Sequence, residues 1–430
     1  MATTYPAPLP DATGIPLVSG RRRRIALYSH DTMGLGHTRR NMLIAHTLAN
    51  AAIPADVLLV TGANESNAFT MPPSVDLLTL PALHKSEDGR YQARRLDLSL
   101  HDLTTLRAET IRAALMAFAP DVLIVDNVPR GAARELDVAL AALRATGQTR
   151  IVLGLRDVLD DPVVVAREWE RAENSQAIRE FYDAVWVYGD PRVYDTVHAY
   201  DIPFDIAARV SYTGYLDARQ RHSFSEADSD AALAALDLPA GRLALGMVGG
   251  GQDGAAVATA FVRAQRPDDM NAVLVTGPYM PAEIQRQLQE AAASDSRLRV
   301  VEFLPEPTLL LHRADRVVAM GGYNTVAELL AFEKPALVVP RVRPRQEQWV
   351  RAERLRQLGL VDVLHPDTVS AEPISEWLAA DLPQSTHARK RVDLGGLDRL
   401  PSLLQDLLSL PSPLVWNFTM QAGGDYVRVA

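Results

Sequence analysis

The chain has 430 residues, 47% hydrophobic and 23% charged, with a formal net charge of −9 and no cysteine. That length suits two domains better than one core, and the composition is that of a soluble globular protein. The acidic balance argues against nucleic-acid partners, and the lack of cysteine excludes disulfides and thiolate chemistry, which fits a reducing, cytoplasmic setting.

Residues 1–20 have no continuous apolar core and read as a flexible N-terminal arm rather than a signal peptide; no apolar run is long enough to span a bilayer. Arg21-Arg22-Arg23-Arg24 is either a contact for anionic lipid or another polyanion, or a solvated lead-in to the first strand. Strand texture starts at Ile25–Ser29. A turn with Gly34 and Gly36 follows, then a helix from about Thr38 to Asn50 and a strand at Val57–Thr61. The polar stretch 84–100 reads as a long loop. Next come a helix over Leu103–Phe118, a strand Val122–Val125 ending at Asp126, and a helix Ala132–Ala145. A strand Ile151–Leu155, a helix Pro162–Phe181 and a strand Ala184–Tyr188 complete this half. Short apolar strands that alternate with helices indicate parallel βαβ units.

The texture changes around 209–230, which reads as an interdomain linker containing a short strand and a glycine turn. The alternation restarts with strands Leu243–Val248, Val273–Thr276, Leu298–Leu304, Arg316–Met320 and Pro335–Val339, a helix Trp349–Leu358, and a last helix from Gly396 to about Leu410. The expected organisation is an arm (1–20), an N-terminal Rossmann-like domain (21–217), a C-terminal Rossmann-like domain (218–400) and a terminal helix and tail (401–430). Two such sheets leave a cleft between their carboxyl edges, where open α/β sheets bind ligands.

Three glycine turns fall on that edge. In His30-Asp31-Thr32-Met33-Gly34-Leu35-Gly36-His37 the glycines allow close backbone approach to a ligand, and the helix mouth favours negative charge. His37 is a candidate general base, because histidine ordinarily titrates near neutrality. A tight βα connection explains the same residues. Gly249-Gly250-Gly251-Gln252-Asp253-Gly254 suits a backbone wrapped around phosphate oxygens. The third turn, Gly321-Gly322-Tyr323-Asn324-Thr325, leads to Glu328, which reads either as the far end of a Thr-x-x-Glu capping box or as a ligand for ribose hydroxyls. Arg345, Gln346 and Gln348 supply groups of the kind that read sugars and phosphates, or else a solvated loop.

With GLGH near the start, VGGGQDG opening the second half and EFLPEP…LLHRADRVVAMGGYNTVAELLAFEKPALVVPRVRPRQEQ, the sequence resembles the MurG-like (family 28) branch of GT-B glycosyltransferases. SHDTMGLGHTRR and GLRDVLDDP look like a less-studied group of predicted glycosyltransferases within it. The resemblance implies a GT-B fold and metal-independent, inverting transfer from a nucleotide-diphosphate sugar, UDP-linked by preference, with no further cofactor. By position it implies that Gly249, Gly250, Gly251 and Gln252 face the diphosphate and that Leu304 meets the base. It further implies that Glu328 binds the ribose and that Gln346 and Gln348 contact the donor sugar. Gly34, Gly36, Gly321, Gly322, Asn324, Thr325 and Arg345 complete the implied donor surface. Tyr323 and Asn324 are larger than the family's small residues there, which bears on donor preference. The N-terminal half matches little beyond its first turn, so the resemblance names no acceptor.

The expected chemistry is direct displacement at the anomeric carbon, with His37, Asp126 and Asp157 as candidate bases. Each aspartate has an alternative role in capping the next helix. Asp228-Ser229-Asp230 reads as solvated linker, not as a metal site. A sugar-nucleotide epimerase or hydrolase, or a non-catalytic nucleotide-sugar-binding protein, fits the same fold.

Overall fold

A computed structural model describes residues 21–30, 36–63, 71–85, 91–221, 226–250, 253–304, 306–410, 417–420 and 426–429. The expected 1–20 arm and Gly34, Gly251 and Gln252 lie outside them. One parallel sheet contains β1 (Arg23–Ser29), β2 (Ala55–Thr61), β3 (Val75–Thr79), β4 (Val122–Asp126), β5 (Arg150–Arg156), β6 (Ala184–Tyr188) and β7 (Val210–Tyr212), ordered β3-β2-β1-β4-β5-β6-β7. The second contains β8 (Arg242–Met247), β9 (Met270–Val275), β10 (Leu298–Val301), β11 (Arg316–Ala319), β12 (Ala336–Val338) and β13 (Asp362–Val363), ordered β10-β9-β8-β11-β12-β13. In both sheets the strand order reverses beside the first strand, which opens a crevice beyond the carboxyl ends of the central strands. The central strands are buried throughout, β4 at every residue, as helices on both faces of a parallel sheet require.

Some elements differ from the sequence reading, each for a local reason. The stretch 84–100 is not one loop: Leu83–Lys85 pairs antiparallel with Tyr91–Ala93, and the helix that follows starts at Leu100. The helix expected over Ala132–Ala145 is a short 3₁₀ turn, Ala132–Arg134, and a separate helix, Asp137–Thr146. Its entry needs Gly131, at φ 69°, because a Cβ there would lie 2.8 Å from the Tyr28 hydroxyl. The helix expected over Pro162–Phe181 breaks into Pro162–Arg171 and Asn174–Phe181. Glu173 turns left-handed at the junction and pairs with Arg130 and Arg134 at 3.0 and 3.2 Å. Of the stretch 209–230, β7 joins the edge of the first sheet, and Asp230, in the Glu226–Ala234 helix, pairs with Arg313. The arginine run is tied to its own domain, Arg22 to Asp56, Arg21 and Arg23 to Asp121, and Arg24 to the Phe118 carbonyl. Beyond the last helix, Asn417–Met420 and Tyr426–Val429 form an antiparallel pair.

The two sheets belong to one packed body. The Gly396–Ser409 helix crosses back onto the N-terminal helix Gly36–Ala49, and a single apolar cluster joins Ile25, Leu27 and Leu48 to Leu245, Val317, Val326 and Leu400. Polar ties run beside it. Arg351 and Asp157, both fully enclosed, form a bidentate pair at 2.7–3.0 Å, and the Tyr215 hydroxyl donates to the same carboxylate at 2.7 Å. Burial opposes the charge on Arg351, but Asp157 outweighs it and holds the guanidinium above its ordinary pKa. Arg345 reaches Asp160 and Glu168, the Gln346 amide donates to Asp160 at 2.7 Å, and Arg389 pairs with Asp217.

Removing one partner of such a buried pair strands the other in a dry site, at a cost of about 3–5 kcal/mol. Asp157→Ala is therefore expected to lose stability of that size in urea unfolding. The double variant Asp157→Leu, Arg351→Met, which buries no charge, is expected to recover most of it. An Asp157→Ala protein within about 1 kcal/mol of the parent would show that the tie is dispensable.

Candidate active site

The carboxyl edges of the two sheets face each other across a cavity of about 660 Å³. Its N-terminal wall includes Gly36, His37, Arg40, Asn127, Arg156 and Trp169. Its C-terminal wall includes Gly249, Gly250, Leu304, Gly322, Asn324, Thr325, Arg345 and Gln348. Most of the described residues singled out in the sequence thus meet in one place. Asn324 closes the gap directly, its side-chain amide donating to the Gly36 carbonyl at 2.8 Å, so two of the three glycine turns touch. The third is shaped from below. Gly277, at φ 79°, lies so close that a Cβ on it would fall 2.2 Å from the Gly249 carbonyl oxygen, and the Tyr279 amide donates to the Gly250 carbonyl at 2.9 Å. Past this turn the helix Ala255–Arg263 starts, with its N-terminus toward the cleft edge of β8.

His37 sits in the first turn of the Gly36–Ala49 helix, and its Nδ1 lies 2.5 Å from Asp126 Oδ2. Arg40, one helical turn later on the same face, donates to both oxygens of Asp126 at 2.6 Å. Asp126 ends β4 and is buried. Burial alone would raise its pKa, but Arg40 foremost, with His37, outweighs that and holds the carboxyl below the ordinary carboxylate range. The Asp126 assignments are therefore corrected. Asp126 is absent from the cavity lining, is held as the ionised partner of Arg40 and His37, and neither acts as a separate base nor caps a helix. Asp157 is corrected as well. Its carboxylate is wholly committed to Arg351, Tyr215 and the Val158 amide and has no route to the cleft.

Several implied donor contacts are also placed differently. The Thr-x-x-Glu box does not form: the helix starts at Tyr323 with Gly322 as its N-cap, so Glu328 lies within the helix and is buried. Its carboxylate faces Arg39 at 3.4 Å. Glu328, Gln346 and Gly321 are not among the cavity-lining residues. Arg345 lines the cavity but is ion-paired across it to Asp160 and Glu168, and Gln348 accepts from the Arg341 amide at 3.0 Å.

The sequence reading missed Arg40 and Arg341 as parts of this site and weighed Tyr323 only for its size. Arg341 pairs with Asp253 and Glu347, and so braces the Gly249–Gly254 turn against the loop after β12. The Tyr323 ring lies between the guanidiniums of Arg40 and Arg351, at 5.3 and 5.7 Å. Arg40 had a signal in the sequence, since a basic residue three positions after His37 shares its helix face. Arg341 gave none: Asp253 lies 88 residues away, and Glu347 is reached only through the fold of the loop between them.

Comparisons with known proteins bear on this geometry. Residues 247–392 match the family model described as the glycosyltransferase family 28 C-terminal domain. The chain is 31% identical over 153 residues to the UDP-N-acetylglucosamine–N-acetylmuramyl-(pentapeptide) pyrophosphoryl-undecaprenol N-acetylglucosamine transferase of Cronobacter sakazakii, across 34% of this chain and 42% of that protein. It spans about half or less of the length of the curated relatives it matches. Among solved structures, MurG of Acinetobacter baumannii superposes with a TM-score of 0.56 at 14% identity, over 89% of this chain and 99% of that one. A putative UDP-N-acetylglucosamine 2-epimerase from Listeria monocytogenes gives 0.61 at 11% identity, over 92% and 99%. Residues 247–392 thus carry the glycosyltransferase family 28 C-terminal domain match, in a chain whose two-sheet fold is the GT-B fold of the structures it superposes on.

Proposed function

We propose that the protein is a glycosyltransferase that moves a sugar from a UDP-sugar to an acceptor hydroxyl, with inversion and without a metal ion, in the cytoplasm. One observation carries the reading: a histidine held by a buried aspartate faces, across one cavity, a glycine turn that opens onto a helix N-terminus. The matched C-terminal domain and the relative named for a UDP-sugar transferase support it.

The geometry suits a single displacement. Asp126 engages Nδ1 of His37 and fixes its ring orientation, which leaves Nε2 as the atom to receive the acceptor proton. As that O–H bond breaks, the acceptor oxygen bonds to the anomeric carbon and the bond from that carbon to the diphosphate oxygen breaks. The electron pair leaves with UDP. In this reading backbone N–H groups of the Gly249–Gly250 turn and the dipole of the Ala255–Arg263 helix take up that charge. Leu304 lines the cavity, and this reading assigns it to the base. Attack from the face opposite the leaving group inverts the anomeric centre.

Calorimetry with UDP, followed by a UDP-sugar panel read by mass spectrometry with and without cell extract as acceptor source, tests the reading. The expected result is UDP binding and sugar transfer only with extract. Donor consumed without acceptor would instead mark an epimerase or hydrolase, and binding without turnover a nucleotide-sugar-binding protein. His37→Ala is expected to lower turnover at least about a hundredfold with donor affinity kept; full turnover would remove His37 as the base. Gly277→Ala, which pushes a methyl into the Gly249 carbonyl, is expected to weaken UDP binding roughly tenfold, the equivalent of ~1.4 kcal/mol. Unchanged UDP affinity would place the diphosphate elsewhere.

Acid titration checks the proton-holding pair separately. Because the folded pKa of Asp126 is depressed, its stabilising contribution is complete above the unfolded value of about 4 and is lost as pH falls through the folded one. Asp126→Asn should therefore be less stable than the parent at neutral pH, and the gap should narrow below about pH 4. A constant gap down to acid unfolding would mean that Arg40 does not hold the ionised carboxylate.

A further inference from the structure

Of the arginines lining the cavity, Arg39, Arg40, Arg130, Arg134, Arg341 and Arg345 each have a carboxylate partner, and Arg171 is exposed to solvent. Arg156 differs. It ends β5, its side chain reaches the cavity and its Nε is enclosed, yet among the described residues it makes no hydrogen bond or ion pair. Arg156 is half-buried, and a cation partly withdrawn from water without a partner gains from an anion that a ligand supplies. The surrounding charges do not. Burial depresses the guanidinium's pKa, Arg40 and Arg351 add to that, and Glu347 and Asp126 offset it only in part. The largest favourable influence, Glu347, has one oxygen on Arg341 at 2.8 Å and lies beyond ion-pairing distance of Arg156.

Position indicates which ligand is meant. β5 lies next to β4, with Asp126 opposite Gly154, so Arg156 stands two residues further along the carboxyl edge that carries the His37 partner. It belongs to the wall opposite the Gly249–Gly250 turn. On the same wall, Asn127 and Asn174 line the cavity with enclosed side-chain oxygens that have no partner, and Trp169 adds an aromatic face. A cation, carboxamides able to bind hydroxyls and an aromatic ring form a recognition surface separate from the donor turn.

We propose that Arg156 is a specificity-determining residue for the acceptor and that the acceptor carries an anionic group, a carboxylate or a phosphate, which pairs with it close to the reacting hydroxyl. This rests on the transferase reading for the word acceptor, but the anion site itself does not need it.

The test titrates inorganic phosphate, and separately acetate, into UDP-saturated protein by calorimetry at constant ionic strength, for the parent, Arg156→Gln and Arg156→Lys. The parent is expected to bind one of the two saturably. Arg156→Gln should bind it roughly tenfold or more weakly, Arg156→Lys should keep part of the affinity, and UDP affinity should change little in either. The preferred anion separates a phosphate from a carboxylate acceptor. The proposal is overturned if neither anion binds the UDP-saturated parent, if Arg156→Gln leaves anion binding unchanged, or if Arg156→Gln lowers UDP affinity in the same proportion, which would assign Arg156 to the donor diphosphate. Should UDP not bind at all, the transferase reading fails by itself. The same titration of the free protein then decides the anion site, with loss in Arg156→Gln upholding it and no change overturning it.

Discussion

The bidentate pair between Asp157 and Arg351 is the constraint on which the cleft depends. It joins the end of β5 to the helix after β12 with both side chains fully enclosed. A pair this dry adds little net stability over apolar packing of the same volume, because desolvation of both ions offsets their attraction. What it does is restrict geometry. The fork of Arg351 meets Asp157 Oδ1 through both Nε and Nη2, the Tyr215 hydroxyl occupies Oδ2, and Arg351 Nη1 takes the Gly321 carbonyl. Few relative positions of the two sheets satisfy all of these together, so the separation of the two cavity walls follows from that one carboxylate.

The site inherits this restriction through Tyr323. Its ring is held between Arg351, fixed by Asp157, and Arg40, fixed by Asp126, and it stacks on Tyr215 at 6.1 Å. The pair that ties the sheets and the pair that holds His37 are thus consecutive links of one packed chain. Movement of the C-terminal wall would be felt at Arg40, and Arg40 is what keeps Asp126 ionised beside His37. The His37 ring is thus oriented by groups whose own positions depend on elements of both sheets.

The fold was legible in the sequence because each buried parallel strand is a short apolar run bounded by turn residues, and that pattern is local. Val122–Asp126 and Ala184–Tyr188 needed no tertiary information. The breaks at Ala132–Arg134 and Glu173 were not legible, since their causes, the Tyr28 hydroxyl and the guanidiniums of Arg130 and Arg134, come from other elements. The glycine turns of the site were legible for the same local reason as the strands. The roles of the aspartates were not. Asp126 and Asp157 look alike in sequence, each an acidic residue just after an apolar strand. Only arginines 86 and 194 positions away make one the partner of His37 and the other a tie between domains. Glu328 shows the reverse error: Thr-x-x-Glu is a sound local signal for a helix start, but the cap lies three residues earlier than Thr325, at Gly322.

Charge pairing also separates what holds the cleft from what the cleft is for. Arg345, Arg341 and Glu328 line or border the cavity and look like ligand groups, but each already has a counter-charge within the protein, so a ligand must compete with an existing bond to use them. Such residues fix the walls. Groups that gain most from a ligand are those that folding has desolvated and left unsatisfied: the guanidinium of Arg156 and the side-chain oxygens of Asn127 and Asn174. These three lie on the N-terminal wall, while Tyr323, Arg341 and Glu347 on the facing side each carry one enclosed atom without a partner as well. The family model covers residues 247–392, so the matched region takes in the C-terminal wall and not the N-terminal one.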